Sequence, residues 1–188
     1  MTITSTETSI PGYVAGTWAI DPVHSEVGFS VRHMMVSKVR GKFGTFEGTI
    51  TTAQDPLASS VTATIDLASI STGNDQRDGH LRSSDFFDVE THPKMTYRST
   101  GIRVEDGAQL VDGELTIRGV TRPVTLALEV NGIGPDAYGG TRAGFTATGE
   151  INRKDFGVNW SAVIEGGGAV VSDKVALSIE IEAVLNNS

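Results

Sequence analysis

The chain predicts an all-β protein: one closed, eight-stranded antiparallel barrel carrying a single short helix. Three observations predict it. Apolar and polar residues alternate at period two in one segment after another, the mark of strands half-buried against a core. Dipeptides that tolerate positive φ, such as Asp106-Gly107 and Asn131-Gly132, fall between or beside these segments and suit tight antiparallel turns. Glycine supplies 22 of the 188 residues, many where a strongly curved sheet must bend or turn. A chain of this length fits one all-β domain.

Residues 1 to about 15, rich in Thr and Ser and ending near Pro11-Gly12, read as a flexible tail, and 16–188 as the single domain. The first strand, 17–33, passes an Asp21-Pro22 turn and then alternates, with Val27, Phe29 and Val31 on one face and Glu26, Gly28, Ser30 and Arg32 on the other. Lys38, Arg40 and Lys42 then form a basic cluster that reads as a solvated turn. The second strand, 43–52, carries Phe43, Phe46, Gly48 and Ile50; further strands are predicted at 60–68, 94–104, 109–118, 123–131, 142–151 and 173–185. Alternation is clearest late in the chain, where Val124, Leu126, Leu128 and Val130 share one face, as do Val175, Leu177, Ile179 and Ile181. One segment breaks the pattern. Thr72-Gly73-Asn74-Asp75 is of capping-box type and opens a predicted helix near 75–83, with Asp78 and Arg82 four apart as an exposed pair. Leu81 and Phe86-Phe87 would pack this helix onto the barrel. Eight antiparallel strands under one helical lid close as a barrel.

Composition excludes several functions. A formal net charge of −8 argues against nucleic acid as a partner and against a general attraction to anionic membranes. No cysteine is present, so disulfide and thiolate chemistry are absent. No run of about 18 apolar residues provides an integral membrane segment. The N-terminus has neither a positive region nor an apolar stretch of secretory type, which makes the cytoplasm the expected location. His24, His33, His80 and His92 lack metal-site spacing, and no nucleophile elbow, phosphate loop or dinucleotide fingerprint occurs. No metal and no required cofactor are therefore expected.

Two separated segments, TWAIDPVHSEVGFSVRHMMVSKVRGKFGTFEGTI from Thr17 and NDQRDGHLRSSDFFDVETHPK from Asn74, occur in the order found in the YceI-like family of polyisoprenoid-binding proteins, which the chain closely resembles. The resemblance implies a lipocalin-like barrel, a long-chain isoprenoid or isoprenoid-quinone ligand and a homodimer, since relatives often dimerise. Many relatives also carry an export signal, from which this N-terminus departs.

Eight strands enclose an interior that side chains just fill or that holds one small ligand. Alternation alone favours the filled core; small inward candidates such as Val61, Ala63, Ala143, Ala147, Gly149 and Val175, together with the resemblance, favour a cavity. An apolar lumen would reward hydrocarbon at roughly 0.8 kcal/mol per methylene, about 16 kcal/mol gross for some 20 carbons before the costs of immobilisation. Candidate wall residues are Phe29, Val31, Phe43, Phe46, Ile65, Leu67, Leu81, Phe86, Met95, Tyr97, Phe145, Phe156, Trp160, Leu177 and Ile179. Candidate polar residues at the mouth are His24, Arg32, Asn74, Arg77, Asp78 and His80, which would either bond a lipid head group or cap the helix and tie it to the first strand. The expected function is carriage, storage or protection of the bound lipid without chemistry. Its rivals are a barrel enzyme using a histidine as acid-base on an apolar substrate, and a structural or protein-binding module with a filled core.

Overall fold

The computed structural model describes residues 10–34, 36–161 and 171–186. Eleven strand segments form one continuous antiparallel sheet: β1 (Gly16–Ile20), β2 (Glu26–His33), β3 (Ser37–Phe43), β4 (Phe46–Thr52), β5 (Ser60–Asp66), β6 (Ile70–Ser71), β7 (Lys94–Glu105), β8 (Ala108–Ile117), β9 (Val120–Pro135), β10 (Thr141–Asn152) and β11 (Val171–Leu185). One helix, α1 (Asp75–Arg82), follows β6.

Pairing shows how eleven segments make eight staves. β11 pairs with β2 through Val175↔Val31 to Glu180↔Glu26, and with β1 through Ala183↔Ile20 to Leu185↔Trp18. β1 and β2 are thus halves of one strand. In the same way β4 pairs with β1 while β3 pairs with β2, and β5 joins β4 while β6 joins β3. The ring β1/β2, β3/β4, β5/β6, β7, β8, β9, β10, β11 closes on itself as an eight-stranded barrel.

Three local expectations are corrected. The segment 17–33 is one stave but two strands, because Asp21 Oδ1 accepts the Val23 N–H at 3.0 Å and bends the chain at Asp21-Pro22. The basic segment is a strand rather than a turn: Lys42, Arg40 and Lys38 lie opposite Gly28, Ser30 and Arg32. Gly41 makes this possible, since Phe29 lies across it so closely that a Cβ would stand 2.3 Å from the ring. Asn131-Gly132 is a bulge inside β9, not a turn; register shifts there, and Asn131 donates to Thr146 Oγ1. The turn comes at Asp136, whose Oδ1 accepts the Tyr138 and Gly140 N–H groups at 2.8 Å each. Asp106-Gly107 does turn between β7 and β8, with both residues at positive φ.

The helix also differs in detail. Its N-cap is Asn74, whose side chain accepts from Arg77 N at 2.9 Å, and not Thr72. Asp78 is buried and accepts from the Thr72 N–H and hydroxyl, while Arg82 donates to the Ala68 and Ile70 carbonyls. The expected exposed Asp78–Arg82 pair therefore does not form. Both side chains instead fasten α1 to the β5/β6 stave. Of the predicted tail, residues 1–9 lie outside the described residues, while the Tyr13 hydroxyl donates to the Ala53 carbonyl at 2.6 Å.

Candidate functional site

The inward faces do not fill the barrel. They surround a cavity of about 710 Å³ lined almost entirely by apolar side chains. That volume lies within the range of small-molecule sites. It is several-fold larger than an apolar cavity of about 150 Å³ that stays dry and takes up benzene. Fourteen of the fifteen predicted wall residues line it; Leu67 does not, being wholly buried in the core, with its N–H donating to the Pro93 carbonyl. Ala63, Ala147, Val61 and Val175 also face it. Ala143 belongs to a separate cluster with Trp18 and Ala183, and the space over Gly149 is taken by Leu126.

One polar group sits deep in the wall. The Tyr97 hydroxyl donates to the Val124 carbonyl at 3.2 Å, and burial pushes its pKa up to about 12. It reaches this position because Gly113, diagonally across on β8, has no side chain: a Cβ there would stand 2.4 Å from the phenol oxygen. Tyr97 is thus a neutral wall residue.

Polar residues gather at the α1 end. Thr72, Asn74, Gln76, Arg77 and His80 line the cavity, and Asn74 and Gln76 are exposed, so the cavity meets solvent beside the helix. Arg77 Nε donates to Thr72 Oγ1 at 2.8 Å and Nη2 to the Thr72 carbonyl at 2.9 Å. His80 Nε2 lies 2.8 Å from Asp85 Oδ2, and its ring meets Phe86 and Trp160 edge-on at 5.0 and 4.8 Å between centroids. Of the six predicted mouth residues, the structure brings Asn74, Arg77 and His80 to the cavity. Asp78 fastens the helix instead, and Arg32 points outward from β2.

His24 lies elsewhere. It belongs to a cluster in which Asp21 Oδ2 meets His24 Nδ1 at 2.9 Å and Arg142 Nη1 at 2.8 Å, with Glu182 and Asp136 completing it. From Arg142 to Asn152, toward the Trp160 end, β10 rises roughly 33 Å at about 3.3 Å per residue. Donor atoms of Asp21, His24 and Glu182 lie within 4.8 Å of one another, but the Arg142 guanidinium already supplies positive charge there. The role supported is a clasp that ties the β1–β2 bend to β10 and β11. The bonds from His24 and then Arg142 hold the Asp21 carboxyl well below the usual carboxylate range. A depressed folded-state pKa contributes stability above the unfolded value near 3.9 and loses it as pH falls below that value. Asp21→Asn is therefore expected to lower the melting temperature by about 5 °C at pH 7 and to flatten its decline below about pH 4. Thermal melts across pH check this, and an unchanged acid slope would discard the clasp.

Arg153 was not foreseen. It is buried at the α1 end of the barrel, where it donates to the carbonyls of Ser172, Val158 and Trp160 at 3.0, 2.8 and 2.7 Å, with Asp173 at 3.6 Å. Burial pulls its pKa below the usual guanidinium value. Its donors are committed to fixing the 153–160 segment, including the cavity residues Phe156 and Trp160. The available sequence signal is local: Asn152 caps the short turn, with its side chain accepting from Lys154 N, and Gly157 ends it at φ 74°.

Comparison with known proteins agrees with this geometry. The chain is 38% identical over 188 residues to the protein YceI of Escherichia coli O6:H1, covering 98% of this chain and 95% of that one. BcnA of Burkholderia cenocepacia superposes with a TM-score of 0.75 at 25% identity, over 87% of this chain and 98% of that one. A polyisoprenoid binding domain from Saccharophagus degradans, implicated in plant cell wall breakdown, shares the fold with a TM-score of 0.66 at 18% identity, covering 92% of this chain and 100% of that one. The YceI-like domain model matches residues 18–183, and with the closed barrel and relatives of near full-length coverage, the chain belongs to the YceI-like family.

Proposed function

We propose that the protein binds a long-chain apolar lipid, a polyisoprenoid or isoprenoid quinone, inside the barrel, and carries, stores or protects it without chemistry. The observation that carries this reading is the apolar cavity of about 710 Å³. Filled with water it would hold roughly two dozen molecules at about 30 Å³ each. Its walls offer them few hydrogen-bond partners, so a hydrocarbon chain that displaces them gains free energy. The polyisoprenoid-binding domain of Saccharophagus degradans, which has the same fold, supports this ligand class. The polar groups at the α1 end give the bound chain a direction. Arg77, Asn74 and His80 would meet a head group at the solvent boundary while the tail occupies the lumen.

Protein purified from cells is expected to carry such a lipid, because release of hydrocarbon into water is slow. Native mass spectra and an organic extract of the purified protein check this. Spectra of apo-protein alone, together with no uptake of prenyl chains on titration, would overturn the proposal.

A further inference from the structure

We propose that the β2–β3 hairpin docks the protein on an anionic lipid bilayer, with its apolar tip inserted and the α1 end of the cavity facing the membrane. The docking rests on the hairpin alone; its use in loading the cavity rests on the lipid-carrier reading.

Arg32, Lys38, Arg40 and Lys42 are all exposed on the outer face of this hairpin, and Arg32 and Lys38 are direct cross-strand partners. Like charges so placed destabilise a sheet. Among the described residues none of the four has a carboxylate within 4.0 Å. Most other outward strand cations do: Lys94 meets Asp66, Arg98 meets Glu114, Arg103 meets Asp112 and Lys174 meets Glu150, whereas Arg122 stands singly and donates to the Thr121 carbonyl. An unneutralised cluster in a chain of net charge −8 needs a reason.

Protection of a sheet edge explains part of it. Among the described residues β3 joins β6 only at Lys42 and Phe43, leaving Ser37 to Gly41 unpaired on that side, and cations on an open edge deter strand addition. That account does not reach Arg32, which lies on the paired strand β2, nor the tip. Val36 is 83% exposed and Met34 42%, and Met34 has φ 51°, where glycine or asparagine would relieve strain. Free in water, the protein gains nothing from apolar side chains at this turn. At an anionic bilayer the tip enters the headgroup–acyl boundary while the four cations meet headgroup phosphates.

The placement gives docking a use. Val31, His33 and Val39 continue the hairpin into the cavity wall, and Asn74, Gln76 and Arg77 line the same cavity from α1. A membrane that receives the tip therefore lies against the α1 end of the cavity, where Asn74 and Gln76 are exposed. Because the chain as a whole carries a net charge of −8, the hairpin is where attraction to an anionic surface concentrates, which orients the binding.

The test uses the whole protein with vesicles of phosphatidylcholine alone and of phosphatidylcholine with 30% phosphatidylglycerol (about 30 mol%, enough for a strong surface potential). Flotation is expected to show at least about tenfold tighter binding to the anionic vesicles, weakening as salt rises. Lys38→Gln with Arg40→Gln should weaken it by about 25-fold, near fivefold per cation. Val36→Ser should weaken binding severalfold without changing its salt dependence. The charge variant should accept a prenyl chain delivered in detergent as the parent protein does, but take it up more slowly from anionic vesicles. Equal binding to both vesicle types, no vesicle binding, or charge variants that bind like the parent would overturn the proposal. So would a hairpin-dependent dimer or capture of an acidic protein in the absence of vesicle binding. If vesicle binding follows the charges but no prenyl chain enters by either route, docking stands and the lipid-carrier reading falls.

Discussion

Obstructing the lumen is expected to weaken lipid uptake sharply while leaving the barrel folded. Ala63 lies opposite Gly48 and Tyr97, and Ala147 opposite Leu128 and Ile179; both line the cavity. In a packed core, enlarging either residue to Phe would cost about 1–3 kcal/mol through off-rotamer strain. Here each new ring finds open space with apolar walls, so Ala63→Phe with Ala147→Phe should leave the melting temperature within about 3 °C or raise it. Each ring removes the room of about three methylenes. At about 0.8 kcal/mol apiece, prenyl affinity should fall by more than about a hundredfold. Thermal melts and titration with a fluorescent prenyl chain check both arms. Marked destabilisation with unchanged uptake would show that hydrocarbon does not occupy this volume.

The second large effect concerns Arg153. Replacing it with Met keeps most of the apolar stem but strips the carbonyls of Ser172, Val158 and Trp160 of their donor. Unsatisfied buried acceptors cost about 1–3 kcal/mol each, so the total should be about 3–5 kcal/mol, or about 10 °C in melting temperature. Lys should recover only part of this, because one ammonium cannot meet carbonyls arranged around a planar guanidinium. Trp160 reports the local change, since releasing its carbonyl lets the indole move toward solvent and shifts its emission to the red. A loss below about 1 kcal/mol would deny Arg153 its structural role.

The contrast between these sites shows what the sequence could reveal. Period-two alternation placed Val124, Leu126 and Leu177 on the inner face, because strand geometry sends alternate side chains to opposite faces whatever the partner strand. Cavity residues on strands were therefore legible. The basic strand β3 was not, since its alternation of Lys38, Arg40 and Lys42 with Val39 and Gly41 looks polar throughout until Phe29 is seen lying over Gly41. Asn131-Gly132 carries the chemistry of a turn, and only the register of β10 shows that it is a bulge. The mouth was read by proximity in sequence. His24 and His80 both sit in family-like segments, yet one faces the Asp21 clasp and the other Trp160, because the bend after β1 and the length of β10 separate them. Asp78 and Arg153 were obscured for a related reason. Charged residues next to polar neighbours read as surface, and their burial depends on partners, a hydroxyl and a set of carbonyls, that only the folded chain assembles.

The cavity has exposed lining residues not only beside α1 but also at the other end, where Leu57 and Ser60 lie next to Ile10 and Tyr13. A pocket with a floor measures its ligand, accepting chains up to a fixed length and rejecting the next homologue. A barrel whose far end, beside the exposed Leu57 and Ser60, lets the chain pass keeps no such gauge. Affinity along a prenyl series should rise with each unit until the barrel is threaded and then level off, as further units trail into water and add nothing. Selection by such a barrel would then fall on the cross-section and stiffness of the chain, not on its carbon number.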